Sequence, residues 1–433
     1  MSALKIHRWT SLQTDQRDAL LTRPLQRTQG DLATKVAEIT ADVRRRGDQA
    51  LIDYAQRFDS ATIDSVVVGA AEIDAARATI SDDAHAAITA AIANVRAFHT
   101  VTQPTEARVE TQPGVVCERV VRPIDAVGLY VPAGTAPLPS AAIMLGVPAR
   151  LANCPTIVMA SPPRADGSMD PHVLAVAAEL GVTRVVRSGG AQAIAAMAYG
   201  TASIPAVNKI FGPGNAFVTA AKQHVAADAA GAAIDMPAGP SEVMVLADDS
   251  ADPAFVAADL LSQAEHGVDS QVILVTTTSA LAIAVSEAID DQLLGLSRRD
   301  IAAKALASSA TIVVSERPDV IAIANAYAPE HLIIQMNEPR DILEQIRNAG
   351  SVFLGPWSPE SVGDYCSGTN HVLPTYGYAR SFSGLSSSDF CRQMTVQALT
   401  REGLENIGPT AITLAGIEGL DAHANAVRLR LGE

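Results

Sequence analysis

The chain has 433 residues, with 47 acidic side chains against 32 Lys and Arg and a formal net charge of −15. A hydrophobic fraction of 48 % with only 18 % charged residues excludes a disordered chain. The acidic balance argues against sequence-independent nucleic-acid binding and against a polybasic membrane anchor, both of which need basic surface. At about 150 residues per domain the length suggests two to three domains. Met1 to Leu20 carries Lys5, Arg8, Asp15, Arg17 and Asp18 and has no apolar stretch of the kind a signal peptide needs. No run of eighteen uncharged apolar residues predicts a membrane span. The four cysteines, Cys117, Cys154, Cys366 and Cys391, are scattered and form no CxxC pair, so neither a disulfide framework nor a thiolate zinc site is expected. A reducing cytoplasm is the expected location.

The first fifty residues read as helices. Leu32, Val36, Ile39 and Val43 recur at helical spacing, with Asp31 as a candidate N-cap. A second helical run covers roughly 82–98, and short strands follow around Val109 and from Val115 to Val121. From Ile124 the pattern changes to strand–helix alternation. Strands are predicted at 126–131, 156–160, 184–187 and 209–211, with helices at 140–151, 171–180, 191–199 and 215–225. After a loop at Pro237-Ala-Gly-Pro240, strands at 242–247, 271–276, 311–314, 331–335 and 351–354 alternate with helices at 253–266, 280–289 and 300–307 and with one ending near Tyr327. Such alternation implies βαβ units and mainly parallel sheets. We therefore expect an α/β protein of two such domains, the middle one inserted in the other. Residues 355–388 are rich in Gly, Ser, Pro and Tyr, and a long irregular segment inside a compact protein is usually functional or disordered. The last forty residues return to helical spacing.

Five histidines, His7, His85, His99, His172 and His224, lie in ordinary helical or terminal settings. The other four have unusual neighbours. Gln263 and His266 stand three apart at a helix end, so they either grip one ion or simply form a polar terminus before Gly267. Glu330-His331 follows Pro329 and precedes an apolar strand; a carboxylate beside an imidazole suits acid/base work near neutral pH, although the dipeptide also arises by chance. If the strand has begun, the two side chains point to opposite sides. Asp364 and His371 lie in the irregular segment 355–388, either close to a ligand or as an Asx turn and a surface His. His423 sits on a terminal helix. Two βα turns, Ser188-Gly-Gly-Ala191 and Phe211-Gly-Pro-Gly-Asn215, present backbone amides at helix N-termini, which suits phosphate but equally suits an ordinary tight turn. No GxGxxG with a downstream acidic residue is present.

Taken together, the segments GLYVPAG (128–134), SGGAQAIAAMAYGT (188–201), KIFGPGNAFV (209–218), DMPAGPSE (235–242), LLSQAEHGVDSQ (260–271), APEHL (328–332), SVGDYCSGTNHVLPT (361–375) and SFSGLSSSDF (381–390) closely resemble the histidinol dehydrogenases, in the family's order and over nearly the whole chain. The resemblance implies NAD-dependent, zinc-dependent oxidation of L-histidinol to L-histidine through bound L-histidinal, the last step of histidine biosynthesis. Alcohol to carboxylate removes four electrons and each hydride carries two, so two NAD turn over per substrate and the reactive aldehyde must stay shielded. It also implies zinc ligands at Gln263, His266, Asp364 and His423, acid/base residues at Glu330 and His331, and NAD contacts at Tyr130, Gln192 and Asn215. Substrate contacts are implied at Ser241, His371 and Glu418, together with His331 and the metal ligands. The implied fold is two incomplete Rossmann-like parallel-sheet domains, one inserted in the other, with helical segments at both ends for dimerisation. The expected boundaries are a helical segment at 1–26, a first domain from 27–129 and 240–380, an inserted NAD-binding domain at 130–239, and a helical tail at 381–433. In a homodimer the tail would bring His423 and Glu418 to the partner's site.

Three rival readings make different demands. A thiohemiacetal-forming aldehyde dehydrogenase needs a Cys nucleophile, so replacing each Cys in turn would expose it. A zinc hydrolase would produce no NADH. A non-catalytic scaffold would have lost some of the ligands and bases.

Overall fold

The computed structural model describes residues 4–23, 29–133, 137–236 and 239–433; Gly134, the end of the segment GLYVPAG, and Pro237-Ala238, in the loop before the strand predicted at 242–247, lie outside the described residues. In chain order the strands are β1 (Lys5–Arg8), β2 (Ala107–Gln112), β3 (Val115–Pro123), β4 (Ala126–Tyr130), β5 (Thr156–Ser161), β6 (Arg184–Arg187), β7 (Lys209–Phe211), β8 (Ala233–Ile234), β9 (Glu242–Ala247), β10 (Gln271–Thr276), β11 (Ala310–Val313), β12 (His331–Gln335), β13 (Ser351–Leu354) and β14 (Cys391–Leu399). Two parallel sheets organise the chain. The smaller has the order β6-β5-β4-β7-β8 and the larger β1-β11-β10-β9-β12-β13. In both, the earliest strand of the alternating run is central, the next two extend one way, and the last two extend the other. That is the half-Rossmann order, and in each sheet the order of strand addition reverses at one switch point, β4/β7 or β9/β12.

The sequence dictates this arrangement through burial. Strands such as Thr156–Ser161, Glu242–Ala247 and Gln271–Thr276 are apolar along almost their whole length and buried on both faces, as parallel sheets require. Alternate residues of β9 serve different cores: Val243 and Val245 pack with Leu260, Leu274 and Ile289, whereas Met244 and Leu246 pack with Ile312, Ile323 and Tyr327. No helix among the described residues is long and apolar enough to cross a membrane.

Five expectations need correction. The segment 1–26 is not wholly helical, because Lys5–Arg8 pairs in parallel with β11 and widens the larger sheet, ahead of the helix Thr14–Leu21. Asp31 is no N-cap; it lies in the first turn of the helix Gln29–Arg46. The helices of residues 29–101 pack chiefly on the smaller sheet rather than on the larger one, and meet 240–380 where Asn94 donates to the Cys366 carbonyl oxygen and Val372 joins the Ile88–Val95 core. Val36, Ile39, Val43 and Leu51 share a core with Ile194, Met197 and Ile210, and Ile88, Ile92 and Val95 share one with Val127, Leu129 and Met159, so this segment covers both faces of the smaller sheet. β4, expected to straddle a domain boundary at 129/130, is that sheet's central strand. An amphipathic stripe specifies that a face is buried, not which sheet buries it. Finally, the tail is not purely helical. Cys391–Leu399 pairs antiparallel with β3, from Cys391 opposite Pro123 to Leu399 opposite Val115, before the helices Arg401–Ile417 and Asp421–Leu431.

Candidate active site

The amino ends of the two neighbouring strands β9 and β12 of the larger sheet carry the most chemistry. β9 begins at Glu242 and β12 at His331, side by side, with His331 opposite Val243. The helix Pro253–Ala264, started by Asp252, whose Oδ1 accepts from Ala254 N at 2.8 Å, returns antiparallel to β9 and delivers Gln263 to the same edge. The helix Arg317–Tyr327 ends at Ala328 in the left-handed region (φ 55°), and Pro329 turns the chain into Glu330 and His331.

Because the strand starts at His331, Glu330 escapes strand alternation. The two side chains converge, 3.6 Å apart, on the Glu242 peptide. The Glu242 amide donates to Glu330 Oε2 at 2.8 Å, while the Glu242 carbonyl oxygen lies 3.1 Å from His331 Nδ1 and accepts from Gln263 Nε2 at 3.2 Å. Gln263 Nε2 also stands 2.9 Å from Nδ1; in the tautomer whose Nδ1 proton points at the carbonyl, Nε2 is the basic nitrogen. His331 Nε2 is buried with no hydrogen-bond partner, as is Gln263 Oε1. Asp364 Oδ1 stands 3.5 Å from that Nε2. His371 Nδ1 donates to the Asp364 carbonyl oxygen at 2.8 Å, which leaves its Nε2 basic as well.

Electrostatics follow burial and crowding of charge. Burial pushes the Glu330 carboxyl up to about 8 and Glu360 likewise to about 8. Burial disfavours the His331 cation, but the Glu360, Glu330 and Asp364 carboxylates outweigh it and hold the imidazole above its usual range. Asp364 is held low by His331 despite burial. Desolvation lowers His266 and His371, favouring the neutral imidazole, the form that can ligate a metal. Ligand atoms of His266, Glu360 and Asp364 lie within 4.8 Å of one another. Glu360 was not foreseen from the sequence. It sits four residues before Asp364 on the helix Glu360–Tyr365, and i,i+4 carboxylates share a helix face; that spacing was the available signal.

The smaller sheet contributes its carboxyl ends, at its own switch point. Tyr130 ends β4, and its hydroxyl accepts from Gly190 N at 3.1 Å, tying the strand to the first glycine turn. Asn215 caps the helix Ala216–Ala226, its Oδ1 accepting from Phe217 N at 3.0 Å and Val218 N at 3.2 Å, which leaves its amide nitrogen to donate outward. Gly212 has φ 121°, and a Cβ there would collide with the Tyr130 carbonyl oxygen. The turn is clamped from behind by the buried Lys222–Asp235 ion pair: Lys222 Nζ donates to Gly212 O at 3.0 Å, and Gly212 N to Asp235 Oδ2 at 2.8 Å.

One cavity of about 700 Å³ joins the two halves. Tyr130, Gln192 and Asn215 line it on the smaller-sheet side, and Ser241, Gln263, His266, Glu330, His331, Asp364 and His371 on the other. Of the residues singled out in the sequence, Glu418 and His423 do not line it. Glu418 caps the helix Arg401–Ile417 and His423 lies on the following helix, both exposed. No cysteine lines it either. Cys154 is buried, its thiol pushed up to about 12, opposite to what a nucleophile needs, so this geometry gives no support to a thiohemiacetal mechanism.

The histidinol dehydrogenase family profile matches residues 21–431. A histidinol dehydrogenase of Xanthomonas campestris pv. campestris is 58 % identical over 424 residues, 98 % of either chain. One from Photobacterium profundum is 54 % identical, covering 98 % of this chain and 95 % of its own. The crystal structure of the Elizabethkingia anophelis histidinol dehydrogenase superposes with a TM-score of 0.96 at 45 % identity, over 100 % of this chain and 99 % of that one. Profile, relatives and fold agree from end to end: the chain belongs to the histidinol dehydrogenase family.

Proposed function

We propose that this cavity oxidises L-histidinol to L-histidine with two molecules of NAD and a bound divalent cation, zinc in the first instance. The observation that carries the reading is the convergence of Gln263, His331 and Glu330 on the Glu242 peptide, beside the His266–Glu360–Asp364 cluster and facing the Tyr130 and Asn215 turns across one cavity. The donor set fits a cation. It offers amide oxygen, imidazole and carboxylate without thiolate, and Gln263 Oε1 is buried with no other partner. Gln263, His266 and Asp364 would hold the ion, with Glu360 at hand. When bound, the cation supplies ligand positions for the substrate's imidazole and amine and so fixes the carbinol carbon. The cavity also fits a dinucleotide, since two helix N-termini, at Gly190 and Ala216, suit a pyrophosphate.

The side chains then have separable tasks. His331, in its neutral form, takes the hydroxyl proton through Nε2 as hydride leaves the carbinol carbon for the nicotinamide. Glu330 deprotonates the water that adds to the aldehyde, and His331 accepts a proton again in the second hydride transfer. Alcohol, water and two NAD⁺ thus give carboxylate, two NADH and three protons. Burial of both bases keeps bulk water from the aldehyde between the steps. Ser241 and His371 lie at the cavity wall where they would contact substrate.

We further propose that the active form is a homodimer in which His423 completes the cation's ligands and Glu418 the substrate's contacts, each in the partner's cavity. Both residues are exposed on a tail whose Leu414, Ile417, Leu420 and Leu429 are also exposed, an apolar surface that single chains rarely leave uncovered.

Chelation tests the reading. Protein stripped of metal should give no NADH from histidinol and NAD, and stoichiometric Zn²⁺ should restore it. Full turnover in protein shown by elemental analysis to be metal-free would overturn it.

A further inference from the structure

We infer that Arg23 is a positioning residue for the acid/base pair, acting through Glu242. The inference rests on the assignment of Glu330 and His331 as the acid/base groups. Arg23 precedes β9 by more than two hundred residues, yet its guanidinium grips the Glu242 carboxylate in a two-point fork, Nε to Oε1 at 2.5 Å and Nη2 to Oε2 at 2.8 Å. Both side chains are withdrawn from solvent, 10 % and 3 % exposed. A fork of this kind fixes orientation as well as distance.

What the fork holds is the point on which the catalytic groups converge. The backbone amide of the same Glu242 fixes Glu330 Oε2, and its carbonyl faces His331 Nδ1 and Gln263 Nε2. Arg23 also reaches the other strand of the switch point. Nη2 donates to the carbonyl oxygens of Tyr327 at 2.9 Å and Ala328 at 3.3 Å, and the guanidinium stacks 3.9 Å from the Tyr327 ring centroid. Ala328 is the left-handed residue that turns the chain into Glu330, a conformation a residue with a Cβ keeps only when its surroundings hold it. One side chain therefore sets the start of β9 against the approach to β12, and both bases hang between them. Arg23 does not itself line the cavity, so it acts by placement. A misplacement of about 1 Å costs up to about a hundredfold in rate.

The test is Arg23→Lys, which keeps the charge but loses the fork and the stack, read beside Glu242→Gln and the double variant. The expected result is a fall of about ten- to a hundredfold in kcat for histidinol, with the KM for NAD unmoved because Tyr130, Gln192 and Asn215 belong to the smaller-sheet side of the cavity. The double variant should be little worse than either single one, since both break the same link. A purely structural role would lower Tm and the active fraction while kcat per titrated site stayed at the wild-type value; that result overturns the inference. If Arg23→Lys does not fold, Glu242→Gln is judged by the same criterion. His331→Asn separates the two levels. If it too keeps wild-type turnover, the acid/base assignment falls and this inference with it. If it is inactive while Arg23→Lys and Glu242→Gln turn over normally, only the positioning role is refuted.

Discussion

His331→Asn should lower both oxidations by about 10²- to 10⁴-fold, the usual contribution of a placed general base. Asn keeps a donor near the position of Nδ1, so the Glu242 carbonyl, 3.1 Å away in the native protein, retains a partner and the strand start stays in place. What disappears is Nε2, the basic nitrogen aimed at the cavity. Circular dichroism and Tm should be close to wild type, and single-turnover rates with histidinol and with histidinal should both fall. Glu330→Gln provides the contrast. The longer amide still offers an oxygen to the Glu242 amide, but it cannot take a proton from water, so histidinal oxidation should suffer more than histidinol oxidation. The pH dependence follows from the sign of the shift. Burial raises the Glu330 carboxyl to about 8, so the base is protonated and idle below that pH and active above it. The aldehyde step of the native enzyme should therefore climb with pH through about 8, and Glu330→Gln should flatten the climb. Unchanged turnover in His331→Asn would remove that residue from its role.

Mixing two inactive variants should restore activity. In the proposed shared-site dimer, His331→Asn would spoil the body of a site and His423→Ala the tail that completes the partner's site. When the two chains are unfolded together and refolded in equal amounts, about half the dimers are mixed. Each mixed dimer has one site with both defects and one with neither, so about a quarter of native activity returns. Neither variant refolded alone should show it. Absence of recovery, with mixed dimers demonstrated by differently tagged chains, would show that each chain uses its own tail or needs none.

Residues whose signal is local were legible in the sequence. Asn215 is recognisable as the cap after a glycine turn, and Gln263 with His266 as a helix end; both stand where their spacing suggests. Glu330-His331 is legible as a pair but not in direction, because only the strand's starting residue decides whether alternation applies. Glu360 was hidden because its helix has six residues within a segment rich in Gly and Ser, too short for periodicity to register. β14 was missed for a different reason. Nearly all its side chains are exposed, so no buried face imposed a clear period of two, although Met394, Val396 and Ala398 do alternate. The pairing of the helices of 29–101 with the smaller sheet was illegible in principle, since a hydrophobic stripe does not name its partner. His423 and Glu418 show the limit most clearly: the family resemblance implies them together with the cavity residues, while a single folded chain leaves them outside it.

If one cavity carries both oxidations, the aldehyde stays between the two bases and is never released. The most direct measurement is the yield of NADH per molecule of histidinol consumed, followed with an aldehyde-trapping amine in the buffer. The account predicts two NADH per histidinol, histidine as the sole product and no trapped aldehyde. One NADH per histidinol, with histidinal captured by the trap, would contradict it.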